Sequence, residues 1–223
     1  MQAPDSAMNS AAIAQLVGAG LFILGSACFV WAAWAEDWVT PFQIGCGIWL
    51  AGSMPYLWLP LRSEYLGTDS GGSTAARFAA HLSNMLQVAG MLSWVVGSGF
   101  AFHDDLDAGL IFTKAGFLAG SACLLCDAIL QARELRSVTR DERSSLLADM
   151  LAGVFYMLAG GLEGYAEDLG LMRFGSCCWL VGSLCSGVRP CLALSAGRRA
   201  RWIHRARKNV ELSAEHVKVQ VAS

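Results

Sequence analysis

Six long stretches of this chain are nearly free of charged residues, and no other feature restricts its possible folds so strongly. Each is roughly 20 residues or longer, the length that a helix needs to cross about 30 Å of hydrocarbon. Because a bilayer offers no water to bond the backbone, only helices and closed barrels span it. The stretches are Ala11–Ala35, Pro41–Leu61, Ala79–Phe102, Ala108–Gln131, Leu146–Tyr165 and Leu169–Leu194. The sequence therefore predicts an all-α integral membrane bundle of six transmembrane helices.

The composition supports a membrane class. Hydrophobic residues make up 55% of the chain and charged residues only 15%, with a mean hydropathy of +0.45. Soluble domains carry about 25% charged residues. The bundle is therefore expected to face lipid rather than water over most of its surface.

A glycine pattern recurs three times along the chain and predicts that one helical hairpin was used three times. The first helix of each hairpin carries two glycines at one spacing, in Gly18-x6-Gly25, Gly90-x6-Gly97 and Gly153-x6-Gly160. The second helix carries a Gly-Ser pair, in Gly52-Ser53, Gly120-Ser121 and Gly182-Ser183. The predicted organisation is an N-terminal tail over 1–10, hairpins over 11–66, 79–132 and 146–195, and a basic tail over 196–223.

Small residues have a physical role in membrane helices. Lipid tails are as apolar as leucine, so helices gain little by burying apolar surface against each other and associate through close backbone packing instead. The glycines predicted to form such packing seams are Gly18, Gly25, Gly52, Gly90, Gly97, Gly116, Gly120, Gly153, Gly160 and Gly182. The alternative is a narrow solute path lined by glycine and serine.

Lysine and arginine are confined to alternate loops, which predicts the orientation of the chain. The second and fourth loops and the C-terminal tail carry them, whereas the intervening short loops carry only acidic residues. By the positive-inside rule both termini face the cytoplasm or the equivalent organelle interior. The tail is expected to bind anionic lipids, with a solvated tail or a protein-binding segment as alternatives and no nucleic acid as partner. Its basic residues are Arg198, Arg199, Arg201, Arg205, Arg207 and Lys208.

Two ionisable residues occupy the same position of the repeat with opposite charge. Asp127 lies seven residues after Gly120, and Arg189 lies seven residues after Gly182. Burying a charge in lipid is costly and such residues usually have a partner. Asp127 and Arg189 are therefore predicted to pair between helices near the cytoplasmic end. The alternative is that both are solvated at the interface.

Three other ionisable residues within the predicted spans are candidates for a polar path. Lys114, Glu163 and Arg173 would form a polar path if the protein conducts a solute. Lys114 and Arg173 are also close enough to the acidic face to extend their charged ends to it.

The sequence contains no recognisable catalytic, cofactor or metal site. There is no phosphate-binding loop, no H-E-x-x-H motif and no nucleophile elbow. The eight cysteines sit in or beside the spans and are interpreted as small apolar residues. No enzymatic activity, cofactor or metal is predicted.

Several short runs resemble a known family of small membrane hairpins. The runs LFILGSACF (Leu21–Phe29) and GIWLAGSMPYL (Gly47–Leu57) resemble the YrhK-like family, and VVGSGFAF (Val95–Phe102) and FLAGSACLL (Phe117–Leu125) follow the same pattern. The third hairpin departs from it, with Gly161 where the first serine is expected. The resemblance implies the hairpin fold and implies no activity.

Two classes of function remain open from the sequence. The first is a membrane scaffold or assembly protein, which can form a homo-oligomer through its small-residue faces. The second is a small ion or solute channel or transporter. Polar groups near both ends with little at mid-depth favour the first, and a membrane enzyme comes third.

Overall fold

The computed structural model describes residues 4–65, 74–134, 139–165 and 169–196. Over these ranges the chain is helical and contains no strand, which confirms the all-α prediction for this part. The helices are α1 (Pro4–Ala32), α2 (Val39–Tyr65), α3 (Thr74–Phe100), α4 (Leu106–Glu134), α5 (Arg140–Tyr165) and α6 (Leu169–Ser186). Four of them, α1, α4, α5 and α6, are long and apolar enough to cross a membrane.

The helices close into a ring. Each helix packs on the next one along the chain, and α1 packs on α6. Neighbours run antiparallel: Gly18 of α1 faces Gly52 of α2, whereas Gly25 faces Gly45. Within the described residues α4 and α6 are not neighbours in the ring, because α5 lies between them. They meet only through side chains near the centre, where the ring centroids of Phe117 and Trp179 lie 5.2 Å apart.

Five of the six helices begin earlier than their charge-free stretches. α1 begins at Pro4, inside the segment predicted as a tail, and α3 and α5 each begin several residues before their apolar stretches. At the start of α5, the Thr139 hydroxyl accepts a bond from the Glu142 N–H at 3.3 Å, and the Glu142 carboxylate accepts one from the Thr139 N–H at 2.8 Å. This reciprocal capping box satisfies two backbone donors, so the helix starts in a polar turn.

The last helix is interrupted near its end. α6 stops at Ser186, Gly187 forms a turn, and residues 188–196 are helical again. Pro190 lacks the N–H that would bond the Ser186 carbonyl, and its ring clashes with that carbonyl in a regular helix. The break therefore falls four residues before the proline.

Aromatic rings fill the centre of the ring of helices, and every helix contributes at least one. We call them the aromatic layer: Phe22, Trp49, Trp94, Phe117, Tyr156 and Trp179. Ring centroids lie 4.8 Å apart for Trp49 and Trp94, and 4.9 Å apart for Trp49 and Trp179. These are the spacings of tilted and edge-to-face aromatic pairs. The axis of the bundle is thus packed with side chains at this depth.

Glycine allows the second helix of each hairpin to approach an aromatic ring of the first. A Cβ added to Gly52 would lie 3.0 Å from Cδ1 of Phe22, and one added to Gly182 would lie 2.6 Å from Cε1 of Tyr156. A Cβ on Gly120 would likewise meet the ring of Trp94. The same contact therefore occurs in all three hairpins.

The contacts of these glycines correct the alignment of the third hairpin. An added Cβ on Gly52 or Gly120 would also lie close to the carbonyl oxygen of Gly18 or Gly90, whereas one on Gly182 would lie 3.3 Å from that of Ala152. Ala152, rather than Gly153, is thus the structural equivalent of Gly18 and Gly90. The predicted register was one residue off because it followed glycines rather than the aromatic residue four positions later.

The neighbouring glycines of α5 face a different helix. A Cβ on Gly153 would lie 3.0 Å from Cα of Leu125, and one on Gly160 would lie 3.5 Å from Cα of Leu118. Both contacts are with α4. These two glycines therefore lie at the contact between the second and third hairpins and not within the third.

Candidate functional site: a polar cavity at one end of the bundle

Asp127 of α4 is a buried carboxylate, with only 5% of its surface exposed. Its side chain accepts a hydrogen bond from the Ser83 hydroxyl. The amide groups of Gln87 and Gln131 donate to its Oδ2, each at 2.9 Å. Every one of these donors is neutral, so hydrogen bonds and not an ion pair hold this carboxylate in place.

Arg189 lies beyond the break in α6 and contacts two other helices. It donates to Oδ2 of Asp149 on α5 at 2.9 Å and to Oε1 of Gln131 on α4 at 3.0 Å. Gln131 thus accepts from Arg189 with its carbonyl and donates to Asp127 with its amide nitrogen. The result is a continuous polar cluster across α3, α4, α5 and the segment that follows α6.

The predicted direct pair of Asp127 and Arg189 is not formed. The two residues belong to one cluster, but Gln131 bridges them and the ion pair of Arg189 is with Asp149. The reason is the order of helices in the ring, since α5 separates α4 from α6. α5 therefore supplies the carboxylate, that of Asp149, with which Arg189 pairs.

A cavity of about 100 Å³ lies between this cluster and the aromatic layer. Asp127, Asp149 and Arg189 line its polar side, and Phe22 and Trp94 line its apolar side. The cavity is therefore amphipathic.

Tyr56 of α2 also lines the cavity. Its hydroxyl is buried and has no hydrogen-bond partner. A buried polar group without a partner costs about 1–3 kcal/mol. The cavity therefore offers one polar group that the protein itself leaves unsatisfied.

A second, larger cavity adjoins the first. It measures about 730 Å³, and Gln131 and Arg189 line both cavities. Its other walls carry Ser83, Asp141 and Glu142. We call the smaller space the inner cavity and the larger one the vestibule. The Arg189–Gln131 hydrogen bond lies between them.

Hydroxyl groups continue from the inner cavity into the aromatic layer. The Tyr156 hydroxyl lies 2.9 Å from Oγ of Ser186 and 3.3 Å from Oγ of Ser183. Ser183 in turn lies 2.8 Å from Ser26, which accepts a bond from Nε1 of Trp49 at 3.2 Å. This series of hydroxyls ends among the rings.

The residues predicted as a polar path lie elsewhere. Lys114 lies in the same helix as Asp127 but thirteen residues earlier, which is about 20 Å along the axis. Arg173 donates from Nε to the carbonyl of Ala33 at 3.2 Å, and its guanidinium lies 5.2 Å from the ring centroid of Trp34. Both residues are at the end of the bundle opposite the cavity. The side chain of Glu163 lies outside the described residues, as do the basic residues of the C-terminal tail.

Several residues of the site were not predicted from the sequence. Asp149, Gln87, Gln131 and Tyr56 all lie within predicted apolar stretches. A polar side chain in such a stretch is itself a signal, because lipid-facing positions exclude it. What the sequence did not provide was the helix order that brings these residues to one cavity.

No family model, no curated protein and no solved structure matches this chain.

Proposed function

We propose that this chain is a six-span membrane protein of three repeated hairpins that acts as a scaffold or assembly unit of YrhK-like type, and not as an enzyme. The observation that carries the proposal is the aromatic layer. Trp49 and Trp179 have no exposed surface, and Trp94 and Tyr156 have 1% each. A solute moving along the axis would have to displace these rings, which favours a role by association over a role in conduction.

Six spans are supported by the surfaces of α2 and α3. These two helices fall short of the hydropathy that marks the other four, but each has 27 residues, enough for about 40 Å. Both also expose large apolar side chains, with Trp58 at 64% and Phe78 at 67%. Large apolar side chains on the outer surface of a helix are favourable if that surface faces lipid rather than water. The helix pair is thus proposed to cross the bilayer beside its neighbours.

Self-association is supported by glycines on the outside of the bundle. A Cβ added to Gly20, Gly99 or Gly161 would meet no atom within 4 Å. Glycine is unfavourable in a helix compared with alanine, and none of these three serves a contact within the protein. Small outward positions let a second copy approach closely, so we propose that they contribute to a homo-oligomer.

The orientation and the basic tail belong to the same proposal. Both termini are assigned to the cytoplasmic or organelle-interior side from the distribution of lysine and arginine. The tail from Arg198 to Lys208 is assigned to anionic lipid headgroups, where each basic residue contributes about 1 kcal/mol near the surface.

A transporter is the second candidate, and the cavities favour it. The vestibule and the inner cavity extend from one end of the bundle to the aromatic layer. A carrier would bind its solute there and open on the other side by separating the rings. Lys114 and Arg173, at that other end, would then line the exit, together with Glu163.

Two measurements on the purified full chain separate these candidates. Liposomes containing the protein are expected to pass monovalent ions and small organic solutes no faster than empty liposomes. Single-molecule photobleaching in the same liposomes is expected to show more than one copy per cluster. Gly20→Leu should shift clusters toward single copies, whereas Ala51→Leu, at an exposed position of α2, should not.

The opposite results would decide against the scaffold. Solute flux that Asp127→Asn abolishes would establish the transporter. Single copies at every protein-to-lipid ratio would remove self-association from the proposal.

A further inference from the structure

The inner cavity has the features of a ligand site beyond any scaffold role. It is lined by charged, polar and aromatic side chains, and it is adjoined by the vestibule. One buried water needs about 10–15 Å³ of such space. A volume of about 100 Å³ therefore holds either a few waters or a guest of a few non-hydrogen atoms.

The charged residues that line the inner cavity determine which sign of charge a bound molecule should carry. Asp149 is compensated by Arg189 at 2.9 Å. Asp127 receives only neutral donors, from Ser83, Gln87 and Gln131. One carboxylate of the cavity thus lacks a cationic partner among the residues that line it.

Asp127 also has an acceptor position to spare. An ionised carboxylate accepts about four hydrogen bonds, and three neutral donors occupy this one. The unpaired Tyr56 hydroxyl supplies a second acceptor in the same cavity. A guest that donates hydrogen bonds and carries positive charge satisfies both groups at once.

The apolar wall favours an organic cation over a metal ion. Phe22, Trp94 and Tyr156 line the cavity with aromatic side chains, and such side chains favour organic cations. Calcium needs six to eight oxygen ligands. No group of three or more metal-binding side chains occurs in the part of the chain that the structure describes. An anion would compete for Arg189, which already donates to Asp149 and Gln131.

We propose that the inner cavity binds a small organic cation of the alkylammonium class. Its ammonium group donates to Asp127 and to the Tyr56 hydroxyl, and its alkyl part packs against Phe22 and Trp94. The guest enters through the vestibule, which adjoins the inner cavity at Gln131 and Arg189. Entry requires the Arg189–Gln131 hydrogen bond to open.

The test is calorimetric titration of the full chain in nanodiscs of zwitterionic lipid. The probes are methylammonium and ethylammonium chloride, with sodium chloride and sodium acetate at the same ionic strength as comparisons and empty nanodiscs as the blank. We expect saturable binding of an alkylammonium ion and none of sodium or acetate. Asp127→Asn should weaken binding by at least about 10-fold, because a charge-assisted hydrogen bond is lost.

Two further variants keep the test decisive. Tyr56→Phe removes a hydroxyl that bonds nothing in the protein, so it should fold normally and weaken binding by about 3- to 10-fold. Asp107→Asn, an exposed carboxylate at the other end of the bundle, should bind like the unmodified chain. If Asp127→Asn does not fold, Tyr56→Phe alone decides.

Three results would overturn the proposal. They are no saturable binding of either alkylammonium ion, preferential binding of acetate or sodium, and equal binding by the unmodified chain and by Tyr56→Phe. None of them depends on whether the protein conducts solutes, so the scaffold and the site are tested separately.

Discussion

The hydroxyls of Ser26 and Ser183 lie 2.8 Å apart at the buried contact that joins the first helix to the last. The bond closes the ring of helices between elements that are 157 residues apart in the chain. Ser26 also accepts a bond from Nε1 of Trp49. One hydroxyl thus connects three helices at the depth of the aromatic layer.

Replacing Ser26 should therefore have a larger effect than replacing the corresponding serine of the second hairpin. Ser98 is as buried as Ser26, but its hydroxyl has no partner. We expect Ser26→Ala to lower the free energy of unfolding in mixed micelles by about 1 kcal/mol, because hydrogen bonds between membrane helices have this order of magnitude. Ser98→Ala should be neutral or stabilising. An equal loss of unfolding free energy in Ser98→Ala and Ser26→Ala would mean that the hydrogen bonds of Ser26 do not stabilise the bundle.

The close contact between Gly120 and the ring of Trp94 gives a second comparison. A methyl group on Gly120 would overlap the indole ring, whereas one on Gly20 would meet nothing. Gly120→Ala should destabilise the bundle by about 1–3 kcal/mol through overpacking. Gly20→Ala should leave the free energy of unfolding unchanged or raise it by about 0.5–1 kcal/mol, because alanine is the better helix former. Thermal unfolding in detergent measures the stability of both variants. Equal changes in stability for Gly120→Ala and Gly20→Ala would refute the difference in packing.

The third prediction concerns the polar cluster. Double-mutant cycles with Arg189→Gln and Asp149→Asn should give a coupling energy of about 0.5–1 kcal/mol, since the Arg189 side chain is 46% exposed and water screens such pairs. The cycle of Arg189→Gln with Asp127→Asn should give a smaller coupling, because Gln131 separates the two. A larger coupling for Asp127 would mean that the direct pair forms in the membrane.

The glycine spacing predicts a repeated hairpin, but it does not give the contacts between α5 and α6. Gly153 and Gly160 repeat the spacing of the first two copies, so a pattern of glycines alone selects them. The contact that recurs in the packing is instead an aromatic ring against a glycine of the second helix. By this contact, Ala152 and Tyr156 of α5 correspond to Gly18 and Phe22 of α1. Contacts between helices distinguish the two registers, and single-helix spacing does not.

The site was partly predictable for a related reason. Asp127 and Arg189 attract notice as charges in apolar stretches, and both do belong to the polar cluster. Their partners depend on which helices are neighbours in the ring, and that order comes from packing over the whole bundle. Asp149 pairs with Arg189 because α5, and not α4, is the neighbour of α6.

The turn before α2 supplies a prediction about pH. Thr40 donates to Asp37 from its hydroxyl at 2.8 Å and from its backbone N–H at 3.5 Å, and these bonds lower the pKa of the Asp37 carboxyl. A lowered pKa in the folded state stabilises the protein above the unfolded pKa of about 3.9, and the stabilisation is lost as the pH falls through the folded value. Asp37→Ala should therefore lower the melting temperature at neutral pH but not in strong acid. If the melting temperatures of Asp37→Ala and the unmodified protein differ by the same amount at every pH, the ionised Asp37 carboxylate does not stabilise the turn.

The last prediction tests the number of spans through the segment at 66–73, between α2 and α3. If α2 and α3 both cross the bilayer, this segment lies on the side opposite the turn at 101–105. If only α1, α4, α5 and α6 cross, α2 and α3 stay on the far side and both segments lie there together. Single cysteines from Ser70→Cys and Asp104→Cys, in a background with serine at the eight native cysteines, should therefore react with a membrane-impermeant maleimide from opposite sides of sealed vesicles. Labelling of both from the same side would leave four spans and would remove the three-hairpin membrane architecture.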